Sequence, residues 1–145
     1  MLIRSFQPSD EPAVIALWQA CDLIRPWNNP QLDIQRKLAV QPAMFLVAAA
    51  DQRVMGTVMA GYEGHRGWIN YLAVSPTERL QGIGRQLMQA AESALKAAGC
   101  PKINLQVRDG NDAALAFYER LGYGVDPVVS LGKRLLADDS HTADV

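Results

Sequence analysis

Cysteine is scarce in this chain. Only Cys21 and Cys100 occur, which gives neither a disulfide framework nor metal-ligand spacing. Both read as small buried hydrophobes. Net charge is equally lacking, at -1 near neutral pH. Nucleic acid and membrane surfaces are thereby excluded as main partners, and a polyanionic ligand needs local positive features to hold it. Long apolar runs are absent too, since the longest, Ala43 to Ala50, is far too short to span a bilayer. Arg4 and Gln7 interrupt the first residues, so the start does not read as a signal peptide. A cytoplasmic, reducing location is the expectation.

What is present suffices for one core, because 145 residues make a typical single domain. Leu2 to Phe6 alternates like a strand, and Ser9 or Asp10 can cap a helix carrying Val14, Leu17, Trp18 and Cys21 on one face. A loop, Asp22 to Pro30, leads to a weaker helix ending near Gln41. Three strands follow, Met44–Ala50, Val54–Tyr62 and Trp68–Val74, the first two joined at Asp51-Gln52-Arg53. A helix reaches about Ala98, with Ile83, Leu87, Met88, Ala91, Leu95 and Ala98 as its buried stripe. Lys102–Val107 reads as a strand, Asn111–Leu121 as a helix and Val128–Leu131 as a last strand. The order argues one α/β or α+β domain over residues 1–136, with a polar tail, 137–145, expected to fray.

The informative stretch is Arg79-Leu80-Gln81-Gly82-Ile83-Gly84-Arg85. A dinucleotide fingerprint needs a third glycine where Leu87 stands, and no Lys-Ser or Lys-Thr follows as a P-loop requires. What remains is a strand, a turn, two glycines and a helix. Such a loop can aim main-chain N–H groups at an anion from a helix N-terminus. It can also be a plain turn.

Arg79-x-x-Gly82-x-Gly84 after a strand ending Tyr71-Leu72-Ala73-Val74 resembles the acetyl-CoA signature of the GCN5-related N-acetyltransferases (GNAT). Asn111 and Phe117-Tyr118-Glu119-Arg120-Leu121-Gly122-Tyr123 resemble that family's last motif. The resemblance implies a mixed, mostly antiparallel sheet of six to seven strands flanked by about four helices. It implies acetyl-CoA as co-substrate and direct acetyl transfer to a primary amine, without a metal. By carry-over, Arg79, Gln81, Gly82, Ile83, Gly84 and Arg85 hold the CoA pyrophosphate, and Asn111 contacts CoA. Leu72, Ala73 and Val74 pair with the pantetheine arm like an added strand. The Val74 amide polarises the thioester carbonyl, and Tyr118 protonates the leaving thiolate.

No general base is evident. Deprotonating a lysine-like amine at pH 7 costs roughly 4.6 kcal/mol, against about 1.4 kcal/mol for an α-amine. The ribosomal-protein branch of the family carries a Glu where this chain has Gln106, which cannot act as a base. Glu63 and His65 are titratable but lie in a turn, and Asn70 with Tyr71 can order a water wire instead. Arg25 and Trp27, in the loop between the first two helices, are candidates for the acceptor wall. The two cysteines are placed away from the chemistry, against a thiol-linked intermediate. The acceptor is a small-molecule or peptide amine, and the protein a monomer or homodimer. The rival from another class is a catalytically silent acyl-CoA sensor.

Overall fold

The computed structural model describes residues 1–138. Five strands form one sheet in the order of the chain: β1 (Leu2–Ser5), β2 (Phe45–Ala50), β3 (Arg53–Tyr62), β4 (Gly67–Val74) and β5 (Ile103–Leu105). The first four pair antiparallel, and β5 joins β4 in parallel. Four helices complete the fold: α1 (Glu11–Ala20), α2 (Pro30–Leu38), α3 (Ile83–Ala97) and α4 (Asp112–Arg120). The parallel step from β4 to β5 is bridged by α3, as a parallel pair requires.

Helices cover both sheet faces, which explains why Phe45–Ala48 is an unbroken apolar run rather than an alternating one. Phe45 and Val47 face one side, packed with Val14, Leu17 and Trp18 of α1 and Ile34 of α2. Leu46 and Ala48 face the other, against Ile83, Leu87, Met88, Ala91 and Leu95 of α3. That α3 stripe is the one its periodicity predicts except at Ala98, which caps the helix C-terminus and is exposed. The second helix stops at Leu38 rather than near Gln41, because Gln41 takes φ 54° and turns its side chain onto Tyr62.

The expected six to seven strands reduce to five among the described residues. Val128–Leu131 forms no strand, and β5 is shorter than Lys102–Val107. Side chains rather than backbone join the two segments. Asp126 accepts from Lys102 Nζ at 3.0 Å and from Asn104 Nδ2 at 2.8 Å, while Gln106 meets Ser130. Pro127 has no N–H to offer, and the Val128 N–H is turned back onto the Asp126 carbonyl. The expected frayed tail largely falls on 139–145, outside the described residues. Asp138 itself is buried and ion-paired to Arg36.

Candidate active site

The site begins where β5 ends. The parallel register runs from Gly67 to Ile69 on β4 and stops, so Asn70–Val74 has an open edge on that side. The Ser75 N–H donates to the Met55 carbonyl of β3 at 2.8 Å. Adjacent residues of a strand point their N–H groups oppositely, so the Val74 N–H and C=O face the open edge. Two donors already reach that carbonyl: Arg79 Nε and Cys21 Sγ, each at 3.3 Å.

A bulge opposite Thr57–Met59 sets what this stretch presents. Tyr71 sits at φ 53°, an unusual conformation for a bulky residue. Across it the alternation resets, so that Ile69, Leu72 and Val74 pack on the α3 side, whereas Tyr71 and Ala73 pack on the α1 and α2 side. Bulges re-aim side chains in this way. The conformation is held from several directions. The Tyr71 ring stacks on Trp18 at 3.9 Å, Trp18 Nε1 donates to Thr57 Oγ1, and Thr57 Oγ1 donates to the Tyr71 carbonyl.

The two glycines of the loop serve different ends. Gly82 caps α3 at φ 80° with open space around it, so its role is conformational. A Cβ on Gly84 would stand 3.3 Å from the Phe117 ring and 3.5 Å from Val74. Its absence lets α3, α4 and the end of β4 converge. The N–H groups of Gly82, Ile83, Gly84 and Arg85 have no acceptor among the described residues, as expected for a helix N-terminus. This unpaired row lies beside the open β4 edge, with the exposed side chains of Gln81 and Arg85 around it.

Asn111 stands just before α4 and caps it, its Oδ1 accepting from the Ala114 N–H at 3.1 Å. Tyr118 lies two turns further on. Its ring is edge-on to Phe117 and Tyr123, with centroids 5.1 and 5.8 Å away. Its hydroxyl makes no hydrogen bond among the described residues, and burial pushes its pKa up to about 12. It opens on a cleft of about 1450 Å³ that Asn70 and Gln106 also line.

On the α1–α2 side, Asn28 Nδ2 donates to the Tyr71 hydroxyl at 2.7 Å, and that hydroxyl donates to Asp33 Oδ2 at 2.5 Å. Burial, then the Asp33 carboxylate, raises the Tyr71 pKa far above its ordinary value. Asn28 Oδ1 accepts the Arg25 N–H, which locks the loop to β4. Arg25 pairs with Asp22 at 3.5 Å and keeps a buried Nε with no partner among the described residues. Trp27 is 51% exposed, and the Arg108 guanidinium lies 5.7 Å from its ring centre. The loops after α1 and after β5 therefore meet.

Two expectations change. Cys21 is not remote, since its Sγ touches the Val74 carbonyl and lies 3.7 Å from the Arg79 guanidinium. Cys100 is remote, its thiol bonded to the Lys102 carbonyl. Glu63 and His65 occupy the hairpin before Gly67, more than ~20 Å from Val74 at a strand rise of about 3.3 Å per residue. The Glu63 carboxylate also caps the His65 and Arg66 N–H groups. Neither can serve as base at the β4 opening. Asp33 escaped sequence reading because its link to the strand runs through Tyr71 across 38 residues. Among the described residues no three His, Cys, Asp or Glu side chains gather as a metal site would need.

Known proteins give the arrangement a name. The sequence model of the acetyltransferase (GNAT) family matches residues 12–123. An acetyltransferase of Yersinia enterocolitica is 48% identical over 141 residues, 97% of this chain and 100% of the relative. One from Pectobacterium atrosepticum is 50% identical over the same shares. The structure of Ard1 from Thermoplasma volcanium superposes with a TM-score of 0.76 at 27% identity, covering 86% of this chain and 83% of that one. The ribosomal-protein-S18-alanine N-acetyltransferase of Escherichia coli has the same fold, with a TM-score of 0.70 at 23% identity over 83% and 76% of the two chains. The β4 opening, the glycine loop and Tyr118 thus sit in a chain that belongs to the GNAT acetyltransferase family, and it is an acyltransferase.

Proposed function

We propose that this protein transfers the acetyl group of acetyl-CoA directly to a primary amine, with Tyr118 as the proton donor. The observation that carries this reading is the open edge of β4. From Asn70 to Val74 the strand lacks a neighbour on the β5 side among the described residues; Gly84 of the glycine loop lies against Val74, and Tyr118 shares a cleft with Asn70. These residues fit a CoA thioester. The amides of Gly82 to Arg85 suit its pyrophosphate, with Arg79, Gln81 and Arg85 around them. Asn111 Nδ2 is left over from capping to reach the ligand. Leu72–Val74 suits an extended amide-bearing arm. Bound there, acetyl-CoA supplies an acetyl group already activated as a thioester.

The Val74 N–H faces the opening and polarises the acetyl carbonyl, where negative charge develops during attack. Arg79 and Cys21 occupy the neighbouring carbonyl and steady the strand end. Tyr118 holds its proton at every physiological pH, since its pKa is pushed up to about 12. Passing that proton to a free thiolate of pKa near 8.5 would be uphill by about 5 kcal/mol. The transfer is therefore coupled to C–S cleavage, in the same desolvated cleft that raises the thiol pKa as well.

Arg25, Trp27, Asn70 and Tyr71 form the acceptor side. Tyr71 acts as a strut there, because its hydroxyl is spent on Asp33 and Asn28. Because Asp33 is bound to Tyr71 and Asn70 and Gln106 line the cleft beside Tyr118, an amine of low pKa, deprotonated through water held by Asn70 and Gln106, is the acceptor class this site serves. Two unpaired cysteines suit a reducing, cytoplasmic setting. A panel of amino acids, peptide N-termini and small amines, followed by CoA release, tests the reading. Turnover with an α-amine supports it. Intact acetyl-CoA binding with no turnover on any amine contradicts it and favours the sensor.

A further inference from the structure

The loop that follows α1 is tied to the β4 end twice, by Cys21 to the Val74 carbonyl and by Asn28 to the Tyr71 hydroxyl. Arg25 and Trp27 lie between those ties in the chain, so both are held on the α1–α2 side of the open edge. The Arg25 Nε is buried and unpaired among the described residues, although its side chain is 30% exposed. Buried polar groups in folded proteins are almost always paired, so this donor points to a ligand. The ion-pair partner of Arg25, Asp22, is 84% exposed and 3.5 Å away, and a pair in open water contributes little.

Arg108 enters from the β5 side. Its carbonyl accepts the Asn111 N–H at 3.0 Å, which fixes its backbone to the start of α4. Its side chain is exposed and lies over the Trp27 ring. A cation held over a ring face keeps its N–H edges available to another partner. Among the described residues no carboxylate pairs with Arg108, the neighbouring Asp109 included. Arg108 also lines the cleft that contains Asn70, Gln106 and Tyr118. Asp33, on the opposite side, is committed to Tyr71 and Arg36. The mouth is therefore an aromatic face with Arg25 beside it in the chain and Arg108 beside it in space.

We propose that the acceptor is an amine carrying a carboxylate a few bonds away, and that Arg25 and Arg108 read that carboxylate. This names the substrate class of the site described above and rests on the proposed function. Two guanidinium groups beside the opening disfavour an ammonium, so they favour the neutral amine that attacks and hold a purely cationic acceptor poorly. A carboxylate supplies the anchor, since it is the planar match for a guanidinium fork. Arriving at the exposed Nη end of Arg25, it draws the guanidinium toward the opening and gives Nε an acceptor. The C-terminus of a short peptide and an acidic side chain offer the same chemistry.

Matched acceptors test the proposal. Glycylglycine against its amide varies the C-terminus, aspartyl-alanine amide against asparaginyl-alanine amide varies the side chain, and lysyl-alanine amide reverses the sign. Wild type is expected to favour the carboxylate member of at least one pair by about tenfold or more in kcat/KM, and the pair concerned names the source. Arg25→Gln and Arg108→Gln are each expected to cut that ratio by at least about fivefold through the acceptor KM, with circular dichroism and the CoA dissociation constant unchanged. Arg25→Lys keeps the charge without the fork and is expected to fall between. Calorimetric titration of the same pairs into CoA-loaded protein reads the preference without turnover. Equal treatment of both members of both pairs, a preference for the lysyl peptide, or a carboxylate preference that survives both glutamine substitutions overturns the proposal. Carboxylate-selective binding that depends on the two arginines, with no acetylation of any member, would count against the proposed function alone.

Discussion

The Sγ of Cys21 lies 3.3 Å from the carbonyl oxygen of Val74, so the C-terminus of α1 is tied to the β4 opening by a thiol. Cys21 is partly exposed, and the Arg79 guanidinium is its other neighbour. Alkylation with iodoacetamide should place a bulky group beside the β4 edge and lower kcat/KM by at least about tenfold, as misplacement near the chemistry does. Bound acetyl-CoA should slow the modification. Cys21→Ser should stay within about threefold of wild type, since the thiol positions and does not react. Cys100→Ser serves as the control, and mass spectrometry locates the adduct. Full activity of the protein alkylated at Cys21 would remove the thiol from the site.

Gly82 and Gly84 should respond differently to the same substitution. Gly82→Ala forces an alanine into the left-handed region at a cost of about 1–2 kcal/mol, with little repacking. Gly84→Ala pushes on Phe117 and Val74, at about 1–3 kcal/mol for overpacking. Thermal unfolding with and without CoA separates the two. Both should lose melting temperature, and Gly84→Ala should also lose kcat, because Phe117 precedes Tyr118.

The Tyr71 bond to Asp33 predicts a split between the two substrates. Tyr71→Phe leaves the Asp33 carboxylate and the Asn28 amide without that partner, costing roughly 1–3 kcal/mol of stability. It should raise KM for the amine while leaving KM for acetyl-CoA nearly unchanged, because the freed loop carries Arg25 and Trp27. An equal rise in both constants contradicts a strut on the acceptor side.

These residues also show what the sequence could and could not carry. The Ile83–Leu95 stripe and the Phe45–Ala48 run were legible because each is a local pattern with one physical meaning, whereas the glycine loop, which reads equally as a plain turn, gained its meaning only from the family motif. The cleft was only half legible. Arg79, Gly82, Gly84 and Tyr118 advertise themselves by motif, whereas Cys21 and Asp33 matter only through contacts across 53 and 38 residues. The bulge at Tyr71 leaves no mark, because a tyrosine at φ 53° runs against every local preference and is held by Trp18 and Thr57. Val128–Leu131 looks like a strand from composition, and its failure to pair depends on Pro127 and on side chains meeting before backbones can.

The activity should rise with pH without an early fall. The acceptor amine must lose its proton, which favours higher pH, and Tyr118 must keep its own. An ordinary phenol near 10 would start to fail there, but burial pushes Tyr118 up to about 12. The kcat profile should therefore keep its alkaline plateau through about pH 10. A descending limb near pH 9 would assign the acid to another group.

Stability should weaken in acid through Asp10. Its carboxylate accepts two bonds from Arg4, at 2.8 and 3.0 Å, and the Gln7 N–H, which together hold its pKa below the usual carboxylate range. A depressed folded-state pKa stabilises above the unfolded value, and this stability is lost as pH falls through the folded value. Asp10→Asn should lower the melting temperature at pH 7 and reduce the further loss on acidification. A parallel pH dependence in wild type and variant would show that Asp10 contributes nothing.

The most direct measurement compares Tyr118→Phe with wild type, reading kcat with an active amine and the CoA dissociation constant by calorimetry. The ring and its packing are retained, and only the proton donor is lost. The account predicts kcat down by about 10²–10⁴, with CoA affinity within about threefold. A variant with wild-type kcat would contradict it, and the leaving thiolate would then take its proton from elsewhere.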